Sequence, residues 1–109
     1  MDNCIFCKII SKQLPSKFLY EDDDMIAIND IKPSAPVHIL IIPKKHISTI
    51  DDIVETDEAL LGKMIFVASH LARDVGIAEK GYKLIFNVGD HGGQIINHIH
   101  LHLLGGKKF

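Results

Sequence analysis

The segment INHIHLHLLGG, residues 96–106, constrains this chain more than any other. From His98 to Leu103 polar and aliphatic residues alternate, the period of a β-strand whose two faces differ in character. In such a strand His98, His100 and His102 project to one side while Ile99, Leu101 and Leu103 project to the other. A strand with an apolar face needs strand neighbours and a covering layer, so this segment demands a sheet.

The rest of the chain supplies both. Turn-forming clusters at LPSK, EDDD, IKPSAP, PKKH, EKGY and GDHGGQ separate short apolar runs. The pattern predicts strands over 18–21, 25–29, 37–42, 82–88 and 97–104. In TDEALLGKMIFVASHLARDVG, Leu60, Leu61, Met64, Ile65, Val67, Ala68, Leu71, Ala72 and Val75 recur at helical spacing and predict one long helix. Thr56 or Asp57 is its expected cap, and Gly76 its left-handed stop. Phe66 falls on the polar side of that helix and is a candidate for a subunit contact. A shorter amphipathic helix is expected over Ile5 to Ile10. The expected fold is therefore α+β, an antiparallel five-stranded sheet with one long and one short helix packed on one face. No repeat or linker divides the 109 residues, so 1–109 reads as a single domain.

Composition narrows the function. The formal net charge of −2 offers no basic field for a nucleic-acid backbone or an anionic membrane. No apolar run reaches the roughly 20 residues of a membrane span, and the N-terminus lacks a signal-peptide pattern. Two cysteines are too few for a disulfide framework, which fits a reducing, cytoplasmic setting.

The histidines carry the chemistry. Along a strand His98 and His102 have Cα atoms about 13 Å apart, too far for all three imidazoles to share one ion without strain. An H-x-H pair on one metal stays open. A row of imidazoles suits a phosphate better, because each ring can donate to a separate oxygen or present an unprotonated nitrogen as a nucleophile. His38 in APVHILIIP adds a fourth imidazole, and NVGDHGGQ adds glycines whose amides can approach an anion. Cys4 and Cys7 read as a redox pair, half of a zinc site or two packed thiols, and a pair with no neighbouring ligands favours packed thiols. His70, Lys44 and Lys45 read as solvated, and His91 as a turn residue of the glycine loop.

His98-Ile99-His100-Leu101-His102-Leu103-Leu104 resembles the signature of the histidine triad family. The following Gly105-Gly106, with IKPSAPVHILIIPKKHI and GDHGGQ upstream, is similar to its Hint branch over about Cys4 to Gly106. The resemblance implies a homodimer that binds a purine nucleotide of the AMP type and hydrolyses the P–N bond of nucleoside phosphoramidates, with no metal in catalysis. It implies His100 as the nucleophile that forms a nucleotidyl-histidine intermediate. His102 and His38 would hold the phosphate oxygens. It further implies Asn87 and Gly93 at the phosphate, Asp30 at the ribose hydroxyls, and Ile5, Phe6, Ile9, Ile28 and Ile31 around the base. Without the resemblance, Asn87, Gly93 and Asp30 read as turn or strand-end residues, and the five apolar residues as core.

By the same resemblance, some triad proteins look like zinc binders through an N-terminal Cys-x-x-Cys. The set here would be Cys4, Cys7, His46 and His98, a structural zinc site. Two departures stand out. Ile95 occupies a position where many Hint enzymes have a serine, and the sequence reaches only Lys107-Lys108-Phe109 where longer relatives carry a tail towards the partner's site. A dinucleoside polyphosphate hydrolase of the Fhit branch, or a nucleotide- or zinc-binding interaction module with little catalysis, are the alternatives.

Overall fold

A computed structural model describes residues 3–109. Among these, the short helix α1 (Ile5–Ile10) precedes strands β1 (Tyr20–Glu21), β2 (Met25–Asn29) and β3 (Val37–Pro43). The long helix α2 (Glu58–Asp74) follows, then β4 (Lys83–Ile85) and β5 (Leu101–Gly105). The strands form one antiparallel sheet in the order β1-β2-β3-β5-β4.

Both faces of this sheet are covered, one by each helix. Met25, Ala27, Ile39, Ile41, Leu101 and Leu103 pack with Met64, Val67, Ala68, Leu71 and Ala72 of α2. Ile26, Ile28, Leu40 and Ile42 point the other way and pack with Phe6 of α1. The expectation of helices on one face is thus corrected. The runs MIAI and HILIIP are apolar without alternation, as strands buried on both sides must be.

The strand predicted over 97–104 begins at Leu101. Leu101 pairs with Ile41, so residues 99 and 100 would pair with Pro43 and Ile42. Pro43 has no N–H to extend the ladder. Its carbonyl is taken instead by the His98 ring, and the Ile99 N–H turns to the carbonyl of Ile47 at 2.8 Å. His98 and His100 therefore sit on an irregular approach to β5, and only His102 lies within it. The predicted strands 18–21 and 82–88 shorten to β1 and β4.

Helix α2 has the predicted period but a narrower buried stripe, since Ile65 and Val75 are exposed. Gly76 takes the left-handed stop at φ +81°. The expected cap is corrected: neither Thr56 nor the Asp57 side chain caps α2. Buried Asp57 reaches back to accept from the Val54 N–H at 3.0 Å and the Lys45 ammonium at 2.6 Å, and so closes the 3₁₀ turn Glu55–Asp57. Lys44 likewise pairs with Glu21 at 2.9 Å. No helix among the described residues is long and apolar enough to cross a membrane.

Candidate active site

The β3–β5 register sets His38 opposite Leu104 and His102 opposite Leu40, which puts both imidazoles on the α1 side of the sheet. Backbone groups then decide where their protons sit. The Ser34 N–H donates to His38 Nδ1 at 3.0 Å, so His38 carries its proton on Nε2. That Nε2–H meets His102 Nδ1 at 2.9 Å, with Asp30 Oδ2 at 3.4 Å. His102 accepts at Nδ1 and is left with an Nε2–H to donate. Burial, with His100 and His38 nearby, lowers the His102 pKa to about 4, so the ring is neutral. Asp30 is fixed by the Lys32 N–H on Oδ1 at 2.8 Å and by its own N–H on the His38 carbonyl.

His100 has the complementary arrangement. Its Nδ1 lies 2.8 Å from the His98 carbonyl, which can only accept, so Nδ1 bears the proton and Nε2 keeps a lone pair. The Phe6 ring meets it edge-on at 5.0 Å, and the His102 ring lies 4.9 Å away. Burial lowers its pKa, which favours the unprotonated form a nucleophile needs.

The loop between β4 and β5 is organised by Gln94, whose part the sequence reading did not isolate. Its side-chain oxygen accepts from the Gly89 N–H at 2.9 Å, and its amide donates to the carbonyls of Ser48 at 2.6 Å and Ile96 at 2.9 Å. Asn87 donates to the Gly92 carbonyl at 2.9 Å. Gly93 takes φ +79°, and a Cβ there would stand 3.9 Å from the Asn87 amide nitrogen, so these two candidates are neighbours. His91 and His70 are exposed.

A second constellation sits at the start of α1. Cys4 Sγ lies 3.3 Å from His98 Nδ1, Cys7 Sγ lies 3.3 Å from His46 Nδ1 and 3.6 Å from His98 Nδ1, and the two Nδ1 atoms are 3.1 Å apart. His98 is fully buried and donates its Nε2–H to the Pro43 carbonyl at 2.8 Å, which leaves the Nδ1 lone pair facing the sulfurs. Burial, which lowers the His98 pKa to about 4, keeps that lone pair free. Burial and the hydrogen bond with Cys4 push the Cys7 thiol up to about 11, so a cation bound here displaces a proton. Four soft or borderline donors converge on one point, a set suited to a tetrahedral metal.

The apolar candidates divide. Phe6 and Ile28 are buried in the α1-side core, Ile9 is half-buried beside them, and Ile5 is partly exposed. Ile31, 90 % exposed, and Ile95, 92 % exposed, offer bare aliphatic surface. Ser34, Pro43 and Gln94 act through backbone groups or an amide; they lie in the motifs IKPSAPVHILIIPKKHI and GDHGGQ, but their residue types do not signal these bonds.

His38 and His102 on the sheet, His100 on the approach to β5 and the Asp30 carboxylate gather in one site with tautomers ordered by backbone groups, a histidine-based site of the hydrolase class to which the relatives below belong. The chain belongs to the HIT domain family, whose sequence model matches residues 11–109. It is 51 % identical over 106 residues to the purine nucleoside phosphoramidase of Escherichia coli strain K12, covering 97 % of this chain and 89 % of that protein. The solved HIT family hydrolase from Legionella pneumophila matches at TM-score 0.95 and 50 % identity, covering 97 % of this chain and 95 % of that one. A Zn-bound histidine triad family protein from Mycobacterium smegmatis matches at TM-score 0.83 and 30 % identity, covering 97 % and 76 %.

Proposed function

We propose that this chain hydrolyses nucleoside 5′-phosphoramidates, of the adenosine type, through a nucleotidyl-histidine intermediate. The observation that carries the reading is the His100 tautomer, Nδ1–H on the His98 carbonyl with Nε2 free. The similarity to a purine nucleoside phosphoramidase supplies the substrate class. Nε2 attacks phosphorus as the P–N bond breaks, and the departing nitrogen takes a proton from solvent water and leaves as the amine, a proton that the water of the second step returns. Water then attacks the phosphorus of the intermediate, releases the nucleoside monophosphate and restores His100. His102 Nε2–H, aligned through His38 and Asp30, is a donor for a non-bridging oxygen whose charge must be held. In this reading Asn87 and Gly93 serve the phosphate, Asp30 the ribose, and Ile5, Phe6, Ile9, Ile28 and exposed Ile31 the base.

The test is turnover of an adenosine phosphoramidate beside a diadenosine polyphosphate. The wild type is expected to prefer the phosphoramidate, and His100→Ala to lose about three or more orders of magnitude in kcat. A preference for the diadenosine compound, or a His100→Ala enzyme of full activity, overturns the reading.

We also infer a structural zinc on Cys4, Cys7, His46 and His98. Zinc bonds of about 2.3 Å to sulfur and about 2.0–2.1 Å to nitrogen set tetrahedral edges of roughly 3.3–3.8 Å. The four short donor separations, 3.1–3.6 Å, fit those edges with little movement. Asp30, His38 and His102 also converge, but His38 Nδ1 already accepts an N–H. Its Nε2 therefore bears the proton and is no lone pair for a metal, which supports metal-free chemistry at that site. Finally, a homodimer is part of the reading: β4 is an edge strand, exposed Leu84 lies opposite Leu103 on its α2 side, and Phe66 is 63 % exposed on α2.

A further inference from the structure

His98 makes three bonds that no other of the described residues combines. Its Nδ1 belongs to the Cys4–Cys7–His46 donor set, its Nε2–H is held by the Pro43 carbonyl, and its own carbonyl accepts the Nδ1–H that orders His100. The peptide that fixes the nucleophile is thus one residue's backbone away from a metal-binding side chain. A second connection runs through α1. This helix has six residues, too few to be stable alone, and both cysteines are tied to its first turn. Between them Phe6 packs edge-on against His98 at 5.8 Å and against His100 at 5.0 Å.

From this arrangement we infer that His98 is a positioning residue for His100, and that a divalent ion in the donor set and a nucleotide at His100 strengthen each other's binding. The inference rests on the two site readings above. An ion that draws Cys4, Cys7, His46 and His98 together fixes the His98 carbonyl and the Phe6 edge, the two groups that hold the His100 ring in place for a bound nucleotide. Linkage is reciprocal, so a nucleotide that requires the ordered His100 must tighten the donor set by the same factor. Cys4 and His46 also line an open cleft of about 540 Å³ with Asn3 and Ser48. Ions can therefore reach the set from solvent without unfolding the chain, and the coupling can respond to metal supply.

The experiment uses the whole wild-type chain, so no variant has to fold. Zinc affinity is measured by competition with a chromophoric chelator, with and without saturating adenosine monophosphate, and nucleotide affinity is measured with and without zinc. A matched increase of about fivefold or more in both is expected. In parallel, ¹⁵N shifts of the His100 ring are read with and without zinc. Zinc is expected to sharpen one tautomer, Nδ1 protonated and Nε2 bare, where the chelator-treated protein shows a mixture. Affinities that do not change, or a His100 ring indifferent to zinc, overturn the coupling and leave the proposed reaction standing. Failure of zinc to bind overturns the coupling together with the zinc site. Failure of adenosine monophosphate to bind overturns it together with the proposed function.

Discussion

Gly105 shows how little room single residues have here. A Cβ built on it would stand 2.5 Å from Ile77 Cδ1 and 3.2 Å from Ile77 Cβ. Gly105→Ala is expected to cost about 1–3 kcal/mol through overpacking. Ile77→Val, which removes Cδ1, should recover part of that loss in the double mutant, as chemical denaturation would show; additive losses would remove the explanation. Among the histidines, the residue types and their alternation were plain in the sequence, but the protons were not. Three groups without any side-chain signature, the Ser34 N–H and the carbonyls of Pro43 and His98, decide which nitrogen of each ring is free. A pH consequence follows. Burial, with His100 and His38 nearby, lowers the His102 pKa to about 4 from an ordinary value of 6.5, and burial also lowers His100. A lowered histidine pKa keeps the neutral ring at more acid pH. The acid limb of kcat/KM for the unliganded enzyme is thus expected below 6.5. Between the two values the unfolded chain binds more protons, so stability should fall as pH drops from 6.5 towards 4. An acid limb centred at or above 6.5 would contradict this placement of the rings.

At the scale of elements, the sequence located α1 and β2 to the residue and α2 to within its ends, because period and turn chemistry are local properties. It overextended the histidine strand, because the limit on β5 lies in another strand: Pro43 cannot donate, and its acceptor is spent on His98. The cap of α2 failed for a similar reason. Asp57 is in the expected place, but a lysine twelve residues earlier and the Val54 N–H claim its carboxylate. The hydrogen bond from Lys45 holds its pKa below the ordinary carboxylate range. Asp57→Ala is expected to destabilise by about 1–2 kcal/mol through the unpaired Val54 N–H. Lys45→Met, at a side chain 56 % exposed, should cost less. Thermal melts of the two variants rank them, and an equal or reversed order would sink the account.

For the whole molecule, the two-sided sheet was legible but misread. MIAI and HILIIP are continuous apolar runs, and a strand that meets solvent on one face has no use for them. Once the second face is known to be filled by α1, the surviving exposed apolar surface is easier to interpret. Leu84 lies at the free edge of the sheet, and Ile65 and Phe66 on the helix that covers the same side. An edge strand with apolar side chains invites pairing, and a monomer would leave both its hydrogen-bonding edge and Phe66 in water. In the dimer proposed above, the chain should sediment at twice its 12.2 kDa mass at micromolar concentration. Leu84→Lys places a charge on the free edge, and Phe66→Glu places one on the helix. Each is expected to shift the mass towards the monomer while leaving the far-ultraviolet circular dichroism unchanged, because neither side chain belongs to the buried core. A monomeric wild type, or variants that remain dimeric, would move the contact elsewhere and leave the exposed aromatic as an ordinary surface residue.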